Sequence, residues 1–180
     1  MVLVDPHRSV DSTPQLIRTI ADAVGKPDAG EALVKRTQEQ IDQAKKQIAA
    51  WKPAKPMRVA FLYVRGNAGV FFILGSENGA SELIQGVGAD DVASDKGITT
   101  LVPANAESLV SINPDAIFVM RDGLASTGGM KGLLARAGVA NTTAGRKQRV
   151  ISIPDGISLS FGPQTGEVLT AVAKALYGVK

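Results

Sequence analysis

Tyr63 and Arg65 are the two side chains whose types and spacing offer the clearest chemistry in this chain of 180 residues. They end an otherwise apolar run that is typical of a β-strand. Residues two apart on a strand project from the same face, about 6.6 Å apart along it. A neutral phenol binds metals poorly, but an adjacent guanidinium and a hard ferric ion both favour its phenolate. The pair could therefore bind ferric iron, but these two residues alone favour the alternative, a packed tyrosine ring beside a surface arginine.

Other candidate residues follow predicted strands, where ligands of parallel α/β sheets bind. Residues 66–75 are rich in glycine and apolar side chains, so Phe71 and Phe72 could form an apolar wall against a flat ligand or simply belong to the core. Arg121 follows the second convincing strand, and Ser160 lies in the loop after the third. Taken alone, Arg121 and Ser160 are each interpreted as ordinary loop residues.

The usual signatures of enzymes are missing from the sequence. It contains no glycine-rich phosphate loop, no Gly-x-Ser-x-Gly elbow and no His-Glu-x-x-His motif. The one histidine, His7, lies near the N-terminus and does not indicate a catalytic triad. An α/β enzyme that uses Asp122 or Asp155 at a strand end is an alternative, but no catalytic partner accompanies either carboxylate. The residues therefore do not predict an enzyme.

Two predicted helices and a linker precede these strands. Apolar residues at helical spacing predict a short helix over residues 13–24 and a long one over residues 29–51. Residues 2–4 form a short apolar run, which predicts a strand without a nearby partner. Two prolines in residues 52–57 end the long helix and mark the clearest linker.

Strands and helices alternate over residues 58–180, which we expect to form one compact domain. Strands are predicted at residues 58–64, 99–102, 115–120 and 149–153, and helices at residues 77–87, 105–111, 129–137 and 163–177. The first and third of these strands are continuously apolar, as parallel strands are when helices cover both faces of their sheet. The predicted fold class is therefore α/β, with an open, mostly parallel sheet flanked by helices and preceded by a long helix.

Composition excludes several other classes of protein. The net charge is only +3, and the basic clusters lack interleaved aromatic residues, so no nucleic acid partner is expected. Cysteine is absent, which excludes disulfides and thiolate metal sites within this sequence. No apolar run approaches the roughly 18 residues of a membrane helix, and no export signal is recognisable at the N-terminus.

Several segments together resemble one class of periplasmic binding protein, in which a single long helix joins two α/β lobes. This class includes binders of cobalamin, siderophores and haem. The long helix resembles the helix between the lobes, residues 57–66 resemble the first strand of the C-terminal lobe, and the Asn-Pro-Asp-Ala-Ile-Phe run at residues 113–118 resembles a later strand. Residues 138–153 and 161–178 resemble the last strand and the terminal helix of that lobe.

The resemblance implies a division of the chain into three parts. Residues 1–51 would be the end of an N-terminal lobe and the inter-lobe helix, residues 52–57 a linker, and residues 58–180 the C-terminal α/β lobe. An N-terminal lobe is absent, which suggests a truncated chain. Many haem-binding members take a second axial ligand, a histidine, from that lobe, and His7 does not match its position.

Within this class, Tyr63-Val64-Arg65-Gly66 resembles the Tyr-x-Arg pair of the haem-binding members, in which the tyrosine ligates iron and the arginine hydrogen-bonds it. The resemblance implies a lobe that binds haem as a transported ligand and delivers it to the permease of an ABC importer in the cell envelope. Tyr63 would ligate the metal, and the expected haem-contacting residues are Tyr63, Arg65, Gly66, Phe71, Phe72, Arg121 and Ser160. A lobe that binds a ferric siderophore or cobalamin, and a half-domain that is inert until paired, are the alternatives.

Association with another lobe or chain is also expected. Without an N-terminal lobe, Leu16, Ile17, Ile20 and Val24 of the short helix would be exposed apolar residues. Such surface favours association. We therefore expect an N-terminal lobe or a second copy of this chain as a partner, and hence a homo-oligomer when only this chain is present.

Overall fold

The computed structural model describes residues 8–66 and 69–179. The strand predicted at residues 2–4 and His7 lie outside the described residues. Within them, eight α-helices and six strands follow one another. In chain order they are α1 (Thr13–Ala23), α2 (Pro27–Trp51), β1 (Arg58–Arg65), β2 (Val70–Ile73), α3 (Ala80–Gly86), β3 (Asp90–Asp91), β4 (Val102–Pro103), α4 (Ala106–Ile112), β5 (Ala116–Met120), α5 (Arg121–Ser126), α6 (Gly129–Leu134), α7 (Thr143–Arg146), β6 (Val150–Ile153) and α8 (Thr165–Tyr177).

The six strands form one sheet in the order β4-β2-β1-β5-β6, with β3 also pairing with β1. Strand β1 is central: β5 runs parallel to it on one side, and β3 and β2 follow each other along its other side. Strand β6 is parallel to β5, whereas β2 is antiparallel to both β1 and β4. The prediction of an open, mostly parallel sheet flanked by helices is therefore confirmed.

Alternate residues of β1 enter two different hydrophobic cores, as the two-residue period of a strand requires. Val59 and Phe61 pack on the face covered by α2, α3 and α8, whereas Leu62 and Val64 pack on the face covered by α4 and α6. Phe61 meets Phe118 of β5 edge to face, with ring centroids 6.4 Å apart. Both faces of β1 are buried, which explains its continuous apolar sequence.

The long helix α2 lies directly on the sheet-covering helix α8. Its buried residues include Ile41, Ala44 and Ile48, which belong to the same core as Val59 and Phe61. Gly166, in the first turn of α8, makes the close approach possible, because a Cβ atom there would lie 2.7 Å from the backbone carbonyl carbon of Gln40. The helix expected to join two lobes is thus docked firmly on this domain.

Some elements differ from their sequence-based predictions. Strand β2 and helix α5 were not predicted: β2 has only four residues, and α5 follows β5 without an intervening turn and without a side-chain cap at Met120. The helix predicted at residues 77–87 is shorter, because a 3₁₀ turn and Gly79, at φ +74°, precede α3. The helix predicted at residues 129–137 ends at Leu134, and the strand predicted at residues 99–102 includes only Val102 of that range.

The short helix α1 is less exposed than its sequence predicts. Ile17 was expected to be exposed, but it is buried because α2 folds back against α1. Ile20 and Val24 are exposed, with 50% and 64% of their surface accessible, and Leu16 is half-buried. An N-terminal lobe or a second copy as the partner of this surface stays a prediction. None of the described helices combines the length and the apolar character needed to cross a membrane.

The α2–α8 contact predicts a steric penalty at Gly166. Gly166→Ala should destabilise the fold by about 1–3 kcal/mol, because the added methyl group meets the backbone of Gln40 and forces the helices apart. Gly156→Ala is the matched control, since a Cβ at Gly156 meets no atom within 4 Å. Urea unfolding measures both variants, and equal midpoints for the two would contradict the prediction.

A second prediction concerns Asp91, which is only 3% exposed. Its carboxylate accepts hydrogen bonds from the Ser81 hydroxyl and, at 3.0 Å, from the Ala93 amide. Burial nevertheless raises the pKa of Asp91 above its usual value. The folded state therefore holds the Asp91 proton more tightly than the unfolded state does, and the stability this contributes is lost as the pH rises through the raised pKa.

Asp91→Asn should therefore gain stability relative to the unsubstituted protein as the pH is raised from about 3 to about 7. The difference in unfolding free energy between the two proteins, measured by urea unfolding at several pH values, checks this expectation. Asp90→Asn, a substitution at an exposed neighbouring position, is the matched control. A stability difference that does not change with pH would show that the burial of Asp91 does not affect its titration.

Candidate functional site

The candidate site lies where the carboxyl ends of β1, β5 and β6 meet. Tyr63 and Arg65 end β1, Arg121 follows β5, and Asp155 follows β6. These three strands are adjacent and parallel, so their carboxyl ends share one edge of the sheet. This edge is the usual position of ligands in open α/β sheets.

The structure brings Tyr63 and Arg65 into contact on one face of β1. The guanidinium carbon of Arg65 lies 5.3 Å from the centroid of the Tyr63 ring, within the range of a cation–π interaction. Tyr63 is half-buried and packs against the same core as Val59 and Phe61. The ring is thus held by packing, and the cation lies over it.

Asp155 holds the other side of the Arg65 guanidinium. Arg65 Nη2 donates to Asp155 Oδ1 at 2.9 Å, and the backbone amide of Asp122 donates to Asp155 Oδ2 at 2.8 Å. The side chains of Arg65 and Asp155 are 37% and 21% exposed, so the ion pair is only partly screened by water. One carboxylate therefore links β1 to the first turn of α5.

Electrostatic effects at this ion pair stabilise both charged groups. The Tyr63 hydroxyl, and after it the Asp155 carboxylate, raise the pKa of Arg65 above its usual value. Burial alone would raise the pKa of Asp155, but the Asp122 amide and the Arg65 guanidinium outweigh that effect and lower it. Arg65 and Asp155 are consequently both ionised at neutral pH.

Gly123 allows α5 to approach β1 closely enough for this arrangement. A Cβ atom at Gly123 would lie 2.5 Å from the Val64 carbonyl oxygen and 3.6 Å from Arg65 Nη1. Any larger residue would push α5 away from the strand. The absence of a side chain therefore keeps the Asp122 amide within reach of Asp155.

Gly66, the residue directly after β1, is held by side chains from α5 and from the segment after α6. Gly66, at φ +57°, donates its amide to Ser126 Oγ at 2.8 Å, and its carbonyl accepts a hydrogen bond from Arg136. Arg136 also lies over the Phe71 ring, with its guanidinium carbon 5.3 Å from the ring centroid. The predicted site residue Gly66 is thus held through both of its backbone polar groups.

The two phenylalanines of β2 lie on opposite faces of the sheet. Phe72 pairs with Tyr63 in the β1–β2 register, so the two side chains share a face. Phe71 pairs with Val64, is buried in the opposite core and is covered by Arg136. The structure therefore brings Phe72, but not Phe71, beside the Tyr63–Arg65 pair.

Arg121 and Ser160 have different surroundings. Arg121 is exposed at the first position of α5, next to Asp122, and so lies on the edge that carries the pair. Ser160 donates to the Ile157 carbonyl at 3.4 Å and lines an apolar groove between α1 and α2. Ser160 therefore lies with the residues that line this groove and not with the residues that contact Arg65.

Sequence reasoning missed three residues that shape the site: Asp155 as a partner of Arg65, and Ser126 and Arg136 as partners of Gly66. Asp155 carried a usable signal, because it follows a parallel strand on the side where ligands bind. Ser126 and Arg136 carried none, since each contacts Gly66 from 60 or more positions away in the sequence.

Comparison with known proteins places this chain in a family. A sequence model of the periplasmic binding protein family matches residues 1–156. No curated protein sequence matches the chain. Among solved structures, the heme binding protein HmuT is 47% identical, with a TM-score of 0.95 over 98% of this chain and 57% of its own.

Two further relatives are also binding proteins. The periplasmic heme-binding protein RhuT from Roseiflexus sp. RS-1, in its apo form, is 35% identical over 94% of this chain and 64% of its own, with a TM-score of 0.88. The periplasmic heme-binding protein BhuT, in complex with two hemes, is 31% identical over 97% of this chain and 64% of its own, with a TM-score of 0.85. The chain thus spans between 57% and 64% of the length of these three proteins.

Further structures of HmuT carry an alanine in place of a histidine, a tyrosine or an arginine. The arginine follows the tyrosine by two positions in that protein. The match over residues 1–156 and the 47% identity to HmuT confirm the predicted class: this chain belongs to the periplasmic binding protein family.

Proposed function

We propose that this chain carries the Tyr63–Arg65 half of a haem site in a substrate-binding protein that delivers haem to the permease of an ABC importer. The observation that carries the proposal is the contact between the Arg65 guanidinium and the Tyr63 ring at the carboxyl end of β1. The chain acts by binding rather than by catalysis, in the cell envelope, with haem as its transported ligand.

The relatives support this assignment. HmuT, RhuT and BhuT are each described as heme-binding, at 47%, 35% and 31% identity to this chain. The tyrosine and arginine substituted in HmuT are two positions apart, which is the spacing of Tyr63 and Arg65. Both lines of support converge on the same short segment of β1.

The chemistry of the pair suits ferric haem. A tyrosine oxygen is a hard ligand for ferric iron, and Tyr63 would present it from a ring that packs against the core. The Arg65 guanidinium can donate a hydrogen bond to the oxygen that ligates the metal. Phe72 offers an apolar surface on the same face, and the exposed Arg121 offers a cation for the carboxylates that haem carries.

Substitution of the ligand should remove the spectrum of the complex. In a hemin titration, Tyr63→Phe should lose the phenolate-to-iron charge-transfer band and bind hemin more weakly, because the ring remains but its oxygen is gone. Tyr177→Phe is the matched control: Tyr177 is the other of the two tyrosines, and its hydroxyl donates to the Val87 carbonyl at 2.7 Å. Identical spectra for Tyr63→Phe and the unsubstituted protein would rule out Tyr63 as the ligand.

Arg65→Ala should keep the band but shift it, and should weaken hemin binding about 10- to 100-fold, the usual effect of removing a group that hydrogen-bonds a metal ligand. Arg146→Ala, at an exposed position on α7, should leave the titration unchanged. Native mass spectrometry with cobalamin and a ferric siderophore completes the test. Tight binding of cobalamin or the siderophore, with no hemin complex, would show that this compound and not haem is the ligand.

A further inference from the structure

We propose that Asp155 is a positioning residue for haem binding, because its carboxylate holds the Arg65 guanidinium over the Tyr63 ring. Asp155 acts on the iron ligand only through Arg65 and does not itself touch the haem. This inference rests on the proposed function of the Tyr63–Arg65 pair and adds a third member to it.

Arg65 needs a second contact to stay over Tyr63. It is the last residue of β1, its side chain is 37% exposed, and a long arginine side chain loses much rotational freedom when it is fixed. A cation–π contact at an exposed position is too weak to hold such a side chain by itself. The ion pair with Asp155, at 2.9 Å, supplies the missing constraint.

Asp155 is itself anchored, which separates it from an ordinary mobile surface ion pair. One carboxylate oxygen accepts from Arg65, and the other accepts from the Asp122 amide in the first turn of α5 at 2.8 Å. The backbone of Asp155 is also held, because the buried Ser158 donates its hydroxyl to the Asp155 carbonyl at 3.3 Å. The position of Arg65 is thereby tied to α5 and to the loop that follows β6.

A purely structural role for Asp155 is the competing interpretation. By accepting from the Asp122 amide, the carboxylate satisfies a first-turn donor that α5 leaves without a side-chain cap of its own. In that case, loss of Asp155 would loosen α5 and weaken hemin binding whether or not Arg65 is present. A double-mutant cycle separates the two roles.

The experiment compares hemin dissociation constants of the unsubstituted protein, Asp155→Ala, Arg65→Ala and the double variant. Asp155→Ala should weaken binding about 10-fold when Arg65 is present and less than about 2-fold when Arg65 is already alanine. In the presence of Arg65, it should also shift the phenolate-to-iron band in the direction that Arg65→Ala shifts it. Asp42→Ala is the matched control: it removes an exposed carboxylate on α2, which contributes nothing to the site, and should change neither quantity.

A measurement without hemin tests the inference independently. The ring current of Tyr63 should shift the NMR signals of the Arg65 side chain from their usual chemical shifts. Asp155→Ala should abolish most of this shift and leave the chemical shifts of core residues unchanged. Unchanged Arg65 signals in Asp155→Ala would overturn the positioning role.

The outcomes also separate this inference from the proposed function. An equal loss of hemin affinity from Asp155→Ala with and without Arg65, or no loss at all, would overturn the inference while leaving Tyr63 as the ligand. Absence of any hemin complex in the unsubstituted protein would instead contradict the proposed function, and the Arg65 signals would then decide the positioning role alone.

Discussion

The central position of β1 is the constraint on which the rest of the structure depends. It pairs with β2, β3 and β5, and its alternate residues enter both hydrophobic cores. A strand in that position has to be apolar along its buried length, since an unpaired polar side chain there would lose its hydration without compensation. Polar side chains are therefore confined to the two ends of the strand: Arg58 at the amino end, and Tyr63 and Arg65 at the carboxyl end, where they emerge from the packed layers.

The same constraint explains why the pair is rigid. Tyr63 still lies partly within the core, so its ring is oriented by packing, whereas Arg65 lies beyond the core and is oriented by charge. Ser126 and Arg136 hydrogen-bond the backbone of Gly66, and Asp155 accepts a hydrogen bond from the side chain of Arg65. Each of these contacts comes from an element that is distant in the sequence, so the geometry of the pair depends on the completed fold.

The sequence predicts those features that local pattern determines. Continuous apolar runs identify β1 and β5 because burial on both faces leaves no room for alternation, and the two-residue period places Tyr63 and Arg65 on one face. The four-residue strand β2 escapes prediction, because a short apolar run between glycines is equally compatible with core or loop. Helix α5 escapes it because no capping residue or turn separates it from β5. The burial of Ile17 and the pairing of Arg65 with Asp155 arise from tertiary contacts, to which a single sequence gives no direct access.

Preorganisation connects this architecture to ligand binding. A flexible arginine would have to be ordered when the ligand arrives, and the entropy lost would reduce affinity. Here contacts within the fold restrain the arginine: the ion pair with Asp155, the hydrogen bond from the Asp122 amide to that carboxylate, and the close approach of α5 at Gly123. In the haem site proposed above, the phenol and the guanidinium would therefore be in register before the ligand arrives. A substitution that loosens α5 should then reduce hemin affinity, even though no group of α5 is proposed to bind the iron.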